Sequence, residues 1–136
     1  MKKKILFIIY LLFGLMFINS GLNKLFNYIP VPESLPEKMV ALNSAMEQIG
    51  WLLPLVAVVE ILGGLLFIIS RFSPLGAIVI FPIMIGIVLT HITAAPTGLP
   101  VAIILLMINL WAIIENKEKF IALIKKLLKM SSTKIT

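Results

Sequence analysis

Six polar side chains stand within or at the edges of long apolar runs, and their types are those that do chemistry. Glu60 lies in VVEILGG (Val58–Gly64), with Gly63 and Gly64 just behind it. His91 closes a second run, Asn109 stands inside a third, and Asn19, Asn23 and Lys24 gather at the end of the first. A carboxylate and an imidazole accept and release protons, so Glu60 and His91 are candidates for a catalytic proton relay. Amides and an ammonium hold a small polar molecule by hydrogen bonds, which makes Asn19, Asn23, Lys24 and Asn109 candidates for ligand binding. Each has a plainer reading. Glu60 reads also as a polar clamp between helices, His91 as an interfacial histidine, and Asn109 as a helix–helix hydrogen bond. Magnitudes favour function at Glu60: interhelical polar contacts average about 0.6 kcal/mol, too little to explain an acid kept for stability.

Such residues matter only if the runs around them cross a membrane. The chain has 136 residues, 60% hydrophobic and 13% charged. A soluble domain carries roughly a quarter charged residues. With no cysteine, disulfide and thiol redox chemistry within this chain are excluded. One histidine supplies neither a bis-histidine haem site nor a metal cluster. No Walker loop or dinucleotide fingerprint is present. The net charge of +6 does not mark a nucleic-acid binder, because the lysines cluster at the ends of apolar segments.

A spanning helix needs about 20 mostly apolar residues. Four segments meet or approach this: 5–22, 51–70, 74–92 and 99–114. The link Arg71–Ser73 is so short that spans two and three must be antiparallel neighbours. Pro82 inside span three predicts a kink. An N-terminus in the cytoplasm leaves Lys2, Lys3, Lys4, Arg71 and six lysines from Lys117 to Lys134 inside, with only Lys24 and Lys38 outside. The positive-inside rule selects that topology, with both termini cytoplasmic. Lys2–Lys4 before an apolar run also resembles a signal peptide, but the site after Asn19–Ser20 is a poor cleavage signal, so the segment is read as an uncleaved helix.

Span two tolerates its acid. Its thirteen Leu, Ile, Val and Phe residues contribute roughly −4 to −8 kcal/mol to insertion, against about +3 kcal/mol for a central acid. Leu53, Ala57, Glu60 and Gly64 share one helix face, where small residues admit a neighbouring backbone. Gly21, Ala57, Gly63, Gly64 and Gly86 are accordingly expected at helix-packing positions. Glu60 lies roughly 14 Å from the outer start of its span. Asn19, Asn23, Lys24, Glu60 and His91 are expected to converge on a pocket open to the outside, with Asn109 approaching from below. A neutral, hydrogen-bonded Glu60 and a Glu60–Lys24 ion pair are both open. Trp51 and Trp111 read as interface anchors.

Two amphipathic stretches flank the spans. In the outer link, Ser34 and Glu37 read as a capping box. Leu35, Met39, Leu42, Met46 and Ile49 then recur at helical spacing, predicting a short helix on the outer face. In the C-terminal stretch, Phe120, Ile121, Leu123, Ile124, Leu127 and Leu128 oppose Lys119, Lys125, Lys126 and Lys129, the pattern of an interfacial helix. The expected architecture is an all-α membrane protein. Residues 1–115 form an antiparallel four-helix transmembrane bundle, N-in and C-in, and 116–136 form a basic cytoplasmic tail.

The stretches SGLNKLF (Ser20–Phe26) and EILGGLLFIISRFSPLGA (Glu60–Ala77), with His91 closing the third run, resemble the DoxX/DoxD-like family of small four-helix membrane proteins. The resemblance covers roughly Met1 to Glu115 and implies a bundle in the bacterial cytoplasmic (inner) membrane. Some relatives are subunits of quinone-linked oxidoreductases, and many have no assigned activity. The positions it points to are Gly21, Lys24, Glu60, Gly63, Gly64 and His91. It implies a small membrane subunit of a quinone-linked redox complex, acting with other protein subunits rather than alone. A quinone or a similar small polar molecule would occupy the pocket around Glu60. The alternatives are a non-catalytic membrane chaperone or assembly factor, and a small-solute carrier.

Overall fold

The computed structural model describes residues 1–133 as helices and short connections, with no strand among them. Lys134, the last of the basic residues that set the expected topology, lies outside the described residues. The helices are α1 (Lys2–Phe26), α2 (Glu37–Ile49), α3 (Leu52–Ile68), α4 (Ser73–Thr93), α5 (Leu99–Glu115) and α6 (Lys117–Thr133), with a 3₁₀ turn at Pro96–Gly98 before α5. α1 ends where Asn27 turns left-handed at φ 49° and donates its N–H to Asn23. Asparagine tolerates that conformation better than most residues. α4 continues through Pro82 as one element.

Lys2–Phe26, Ser73–Thr93 and Pro96–Glu115 are each long and apolar enough to cross a membrane. α3 qualifies only together with α2, as a pair bent by 96°. The second expected span is therefore shorter than its apolar run. Its helix has 17 residues, roughly 25 Å against a hydrocarbon core of about 30 Å. The bend lays α2 across the end of α3, with Leu35, Met39, Leu42 and Met46 half-buried. The expected capping box does not form, since α2 starts at Glu37 with Pro36 as its cap residue and no side-chain bond. The residue before a proline is steered away from helical geometry, so Ser34 cannot reach the first turn.

α1 lies against α3, α3 against α4, and α4 against α5. Glycine backbones make two close crossings between α1 and α3. A Cβ on Gly14 would stand 2.6 Å from the carbonyl of Gly64, and one on Gly64 would stand 2.6 Å from the carbonyl of Gly14. Seven residues along each helix, a Cβ on Gly21 would meet the Ala57 carbonyl at the same distance. Residue numbers thus rise along α1 as they fall along α3. Between these helices and α4–α5 sits a core of Phe13, Phe17, Phe67, Ile80 and Met84. The outward faces stay apolar and open: Leu12 is 62% exposed, Leu62 54%, Leu89 55% and Met107 64%. Patches of that extent do not persist in water, so the spans lie in a lipid bilayer.

Candidate functional site

Antiparallel pairing of α1 and α3 makes the central feature of the site. Helical side chains tilt toward the N-terminus of their own helix. Lys24 therefore leans back along α1 and Glu60 leans the opposite way along α3, so the two approach each other beside the Gly21–Ala57 crossing. Lys24 Nζ donates to both carboxylate oxygens, at 3.0 Å to Oε1 and 2.8 Å to Oε2, and to Ser20 Oγ at 2.8 Å. Glu60 is 2% exposed and Lys24 27%, so the acid is enclosed while its partner keeps an edge open. Of the two states open from sequence, the structure has the ion pair. An ammonium has three donors, and all three of Lys24's are engaged.

Asn19 and Asn23 stand beside this pair on α1, but their carbonyl oxygens serve the chain that follows. Tyr28 Oη hydrogen-bonds to Asn19 through its backbone carbonyl and its side-chain oxygen. Ile29 donates its backbone N–H to Asn23 Oδ1 at 2.8 Å. These bonds tie the residues after α1 to its last turns, and leave the two amide nitrogens without a partner among the described residues.

His91 and Asn109 do not join the cluster. His91 Nδ1 donates to the Ile87 carbonyl at 2.7 Å, and its ring packs where a Cβ on Gly98 would stand. No hydrogen bond or ion pair links it to Glu60 among the described residues. Asn109 is fully buried and donates Nδ2 to the Ala77 carbonyl at 3.0 Å, joining α5 to α4, while its Oδ1 has no partner. The neighbouring Gly76 abuts Phe67, about two turns of α3, or roughly 10 Å, from Glu60. Gly63 and Gly64 sit at crossings with α4 and α1, and Ala57 is fully buried. Gly86 is exposed, and a Cβ there would meet nothing within 4 Å, so the close crossing expected at Gly86 is absent. Its carbon faces outward because α4 turns its other side, Ile80 and Met84, to the core.

A second polar contact was not foreseen. Tyr10 Oη donates to Glu115 Oε2 at 2.8 Å, joining α1 to the end of α5, while the Tyr10 ring packs edge-on against Phe67. The signal was a tyrosine in the middle of an apolar span, since a buried phenol seeks a partner for its hydroxyl. Two clefts meet at this residue. One, about 370 Å³, runs between α1 and α5 and is lined by Ile9, Ile104, Met107 and Trp111. The other, about 450 Å³, opens among Lys3, Ser70, Glu115 and Lys119. Neither cleft is lined by Glu60 or His91.

Fold and site together define a multi-pass α-helical membrane protein with an enclosed Lys–Glu pair between its first and third helices. The DoxX family model matches residues 5–93, and the chain belongs to the DoxX family. That stretch holds α1 to α4, with Lys24, Glu60 and His91. Neither the curated proteins nor the solved structures contain a significant match to the chain.

Proposed function

We propose that this chain is a small membrane subunit of a quinone-linked redox complex, with its ligand site at the Lys24–Glu60 pair. Its setting is an antiparallel four-helix transmembrane bundle of the bacterial cytoplasmic membrane, with both termini cytoplasmic. α2 lies on the outer surface and α6 on the inner one. The observation that carries the reading is the enclosed ion pair itself. A carboxylate 2% exposed inside a membrane helix is costly by far more than an interhelical contact returns.

The residues fit a quinone headgroup in a limited way. Its two carbonyls need hydrogen-bond donors, and Lys24 has none to spare. The Ser20 hydroxyl and the Asn19 and Asn23 amide nitrogens have no acceptor among the described residues and supply that need. When bound, the quinone supplies two-electron redox chemistry coupled to protons. Ser20, Asn19 and Asn23 bind and orient the headgroup, Lys24 holds Glu60 in place, and Glu60 moves the proton. His91 stands apart from the pair and serves, in this reading, as a separate proton carrier at the surface.

Engagement of both Glu60 oxygens by Lys24 favours a second reading, in which the pair clamps α1 to α3 in a non-catalytic assembly factor. Glu60→Gln separates the two, because glutamine still accepts from Lys24 but no longer exchanges a proton. The redox reading expects membranes carrying the folded variant to lose quinone-dependent proton uptake by roughly a hundredfold or more, while decylubiquinone still binds. Unchanged proton uptake removes Glu60 from any redox role.

A further inference from the structure

The four spans close a ring with one loose seam. Consecutive spans pack along their lengths, whereas α1 and α5 face each other across an apolar cleft of about 370 Å³. At one end the seam is tied by the Tyr10–Glu115 hydrogen bond. There the cleft meets the second one, of about 450 Å³, and both are lined by Leu6 and Tyr10. The volumes are those of ligand clefts, about 300–1,000 Å³. The combined shape is that of an amphiphile, with a greasy slot along the bundle wall and a polar mouth at the helix ends.

The mouth carries a definite charge. Lys3 enters from α1 and Lys119 from the first turn of α6, against the single acid Glu115, which Tyr10 already occupies. Lys2, Lys4 and Lys117 are neighbours in sequence on the same two segments. Because α6 starts just after α5, its docking at the membrane surface is what brings Lys119 to the mouth. At this depth the solvent of the slot is lipid, so its occupant is drawn from the adjoining leaflet. We infer that the seam is a binding site for one anionic phospholipid. Its phosphate rests between Lys3 and Lys119, and one acyl chain lies in the slot past Ile104, Met107 and Trp111. The site is separate from the Lys24–Glu60 pair and does not rest on the redox reading.

Native mass spectrometry of the full chain in mild detergent tests this, with phosphatidylglycerol or phosphatidylethanolamine of identical chains added. One phosphatidylglycerol per chain is expected, held several-fold more tightly than phosphatidylethanolamine. A surface lysine facing anionic lipid contributes about fivefold in affinity, so Lys3→Gln with Lys119→Gln should weaken retention roughly 25-fold. The same charge loss at Lys125 and Lys126, on the same helix but away from the mouth, should leave it unchanged. Met107→Trp fills the slot and should abolish retention with both lysines intact, and Ile104→Phe serves if that variant does not accumulate. Glycerol 3-phosphate, which offers the phosphate without a chain, should not compete at equal concentration. Several results overturn the inference: equal retention of the zwitterionic lipid, equal loss at Lys125 and Lys126, effective competition by glycerol 3-phosphate, or a quinone or polypeptide held in the slot instead.

Discussion

Lys24 and Glu60 are 36 residues apart, and their meeting depends on helix direction more than on depth. The N-terminal tilt of helical side chains turns a lysine near the end of one helix and an acid near the middle of its antiparallel neighbour toward each other. An enclosed charge pair is sensitive to loss of one member, by about 3–5 kcal/mol, and tolerant of replacement of both by apolar residues of similar volume. Lys24→Met alone should therefore destabilise the protein by about that amount in detergent unfolding. Lys24→Met with Glu60→Leu should recover most of the loss. Equal destabilisation by the single and double variants would mean that Lys24 is not what makes Glu60 tolerable. The polar residues themselves were legible in the sequence, because each interrupts an apolar run. Their partners were not. Whether Asn19 faces a ligand or its own loop depends on Tyr28 and Ile29, whose conformation follows from the left-handed turn at Asn27. Tyr10 interrupts its apolar run only by a hydroxyl, and nothing local identifies its mate, which lies 105 residues away. Tyr10→Phe should cost about 1.5–3 kcal/mol in unfolding, the range of a hydrogen bond to a charged group. No change would mean that Glu115 finds water instead.

Among the elements, small residues decide where helices cross. Gly14 and Gly64 press backbone to backbone, so a side chain on either must separate α1 from α3 and pull Lys24 from Glu60. Gly64→Leu should cost several kcal/mol, since overpacking of this kind runs about 1–3 kcal/mol or more even in softer cores. Gly86→Ala should be neutral, or stabilising by up to about 1 kcal/mol through helix propensity, because that face is open. A comparison of melting temperatures in one detergent reads both, and a large loss at Gly86 would contradict the placement of α4. Sequence distinguished these glycines poorly. Gly86 with Thr90 and Gly64 with Glu60 show the same one-turn spacing, and only the direction in which each helix turns its bulky residues separates them. Helix existence was plain from hydrophobic runs. Helix ends were less so, as at α2, where Pro36 overrides a capping pattern, and at α3, which ends at Ile68, two residues short of the expected span.

For the whole molecule, charge asymmetry predicts direction in the membrane. The absence of native cysteine makes single introduced thiols a clean probe. Ser44→Cys in α2 should react with an impermeant maleimide on intact cells, and Ser131→Cys in α6 only after permeabilisation. The reverse pattern would invert the topology and place the Lys24–Glu60 pair in the inner half. The central claim is that the pair handles a ligand and a proton and is more than a brace between helices. Quinone-dependent proton uptake by membranes carrying the Lys24→Met, Glu60→Leu double variant tests it most directly, because that variant keeps the packing and removes the chemistry. The account predicts a folded protein, melting within a few degrees of the parent, whose proton uptake is lost. A folded double variant that takes up protons as the parent does would show that the pair only holds helices.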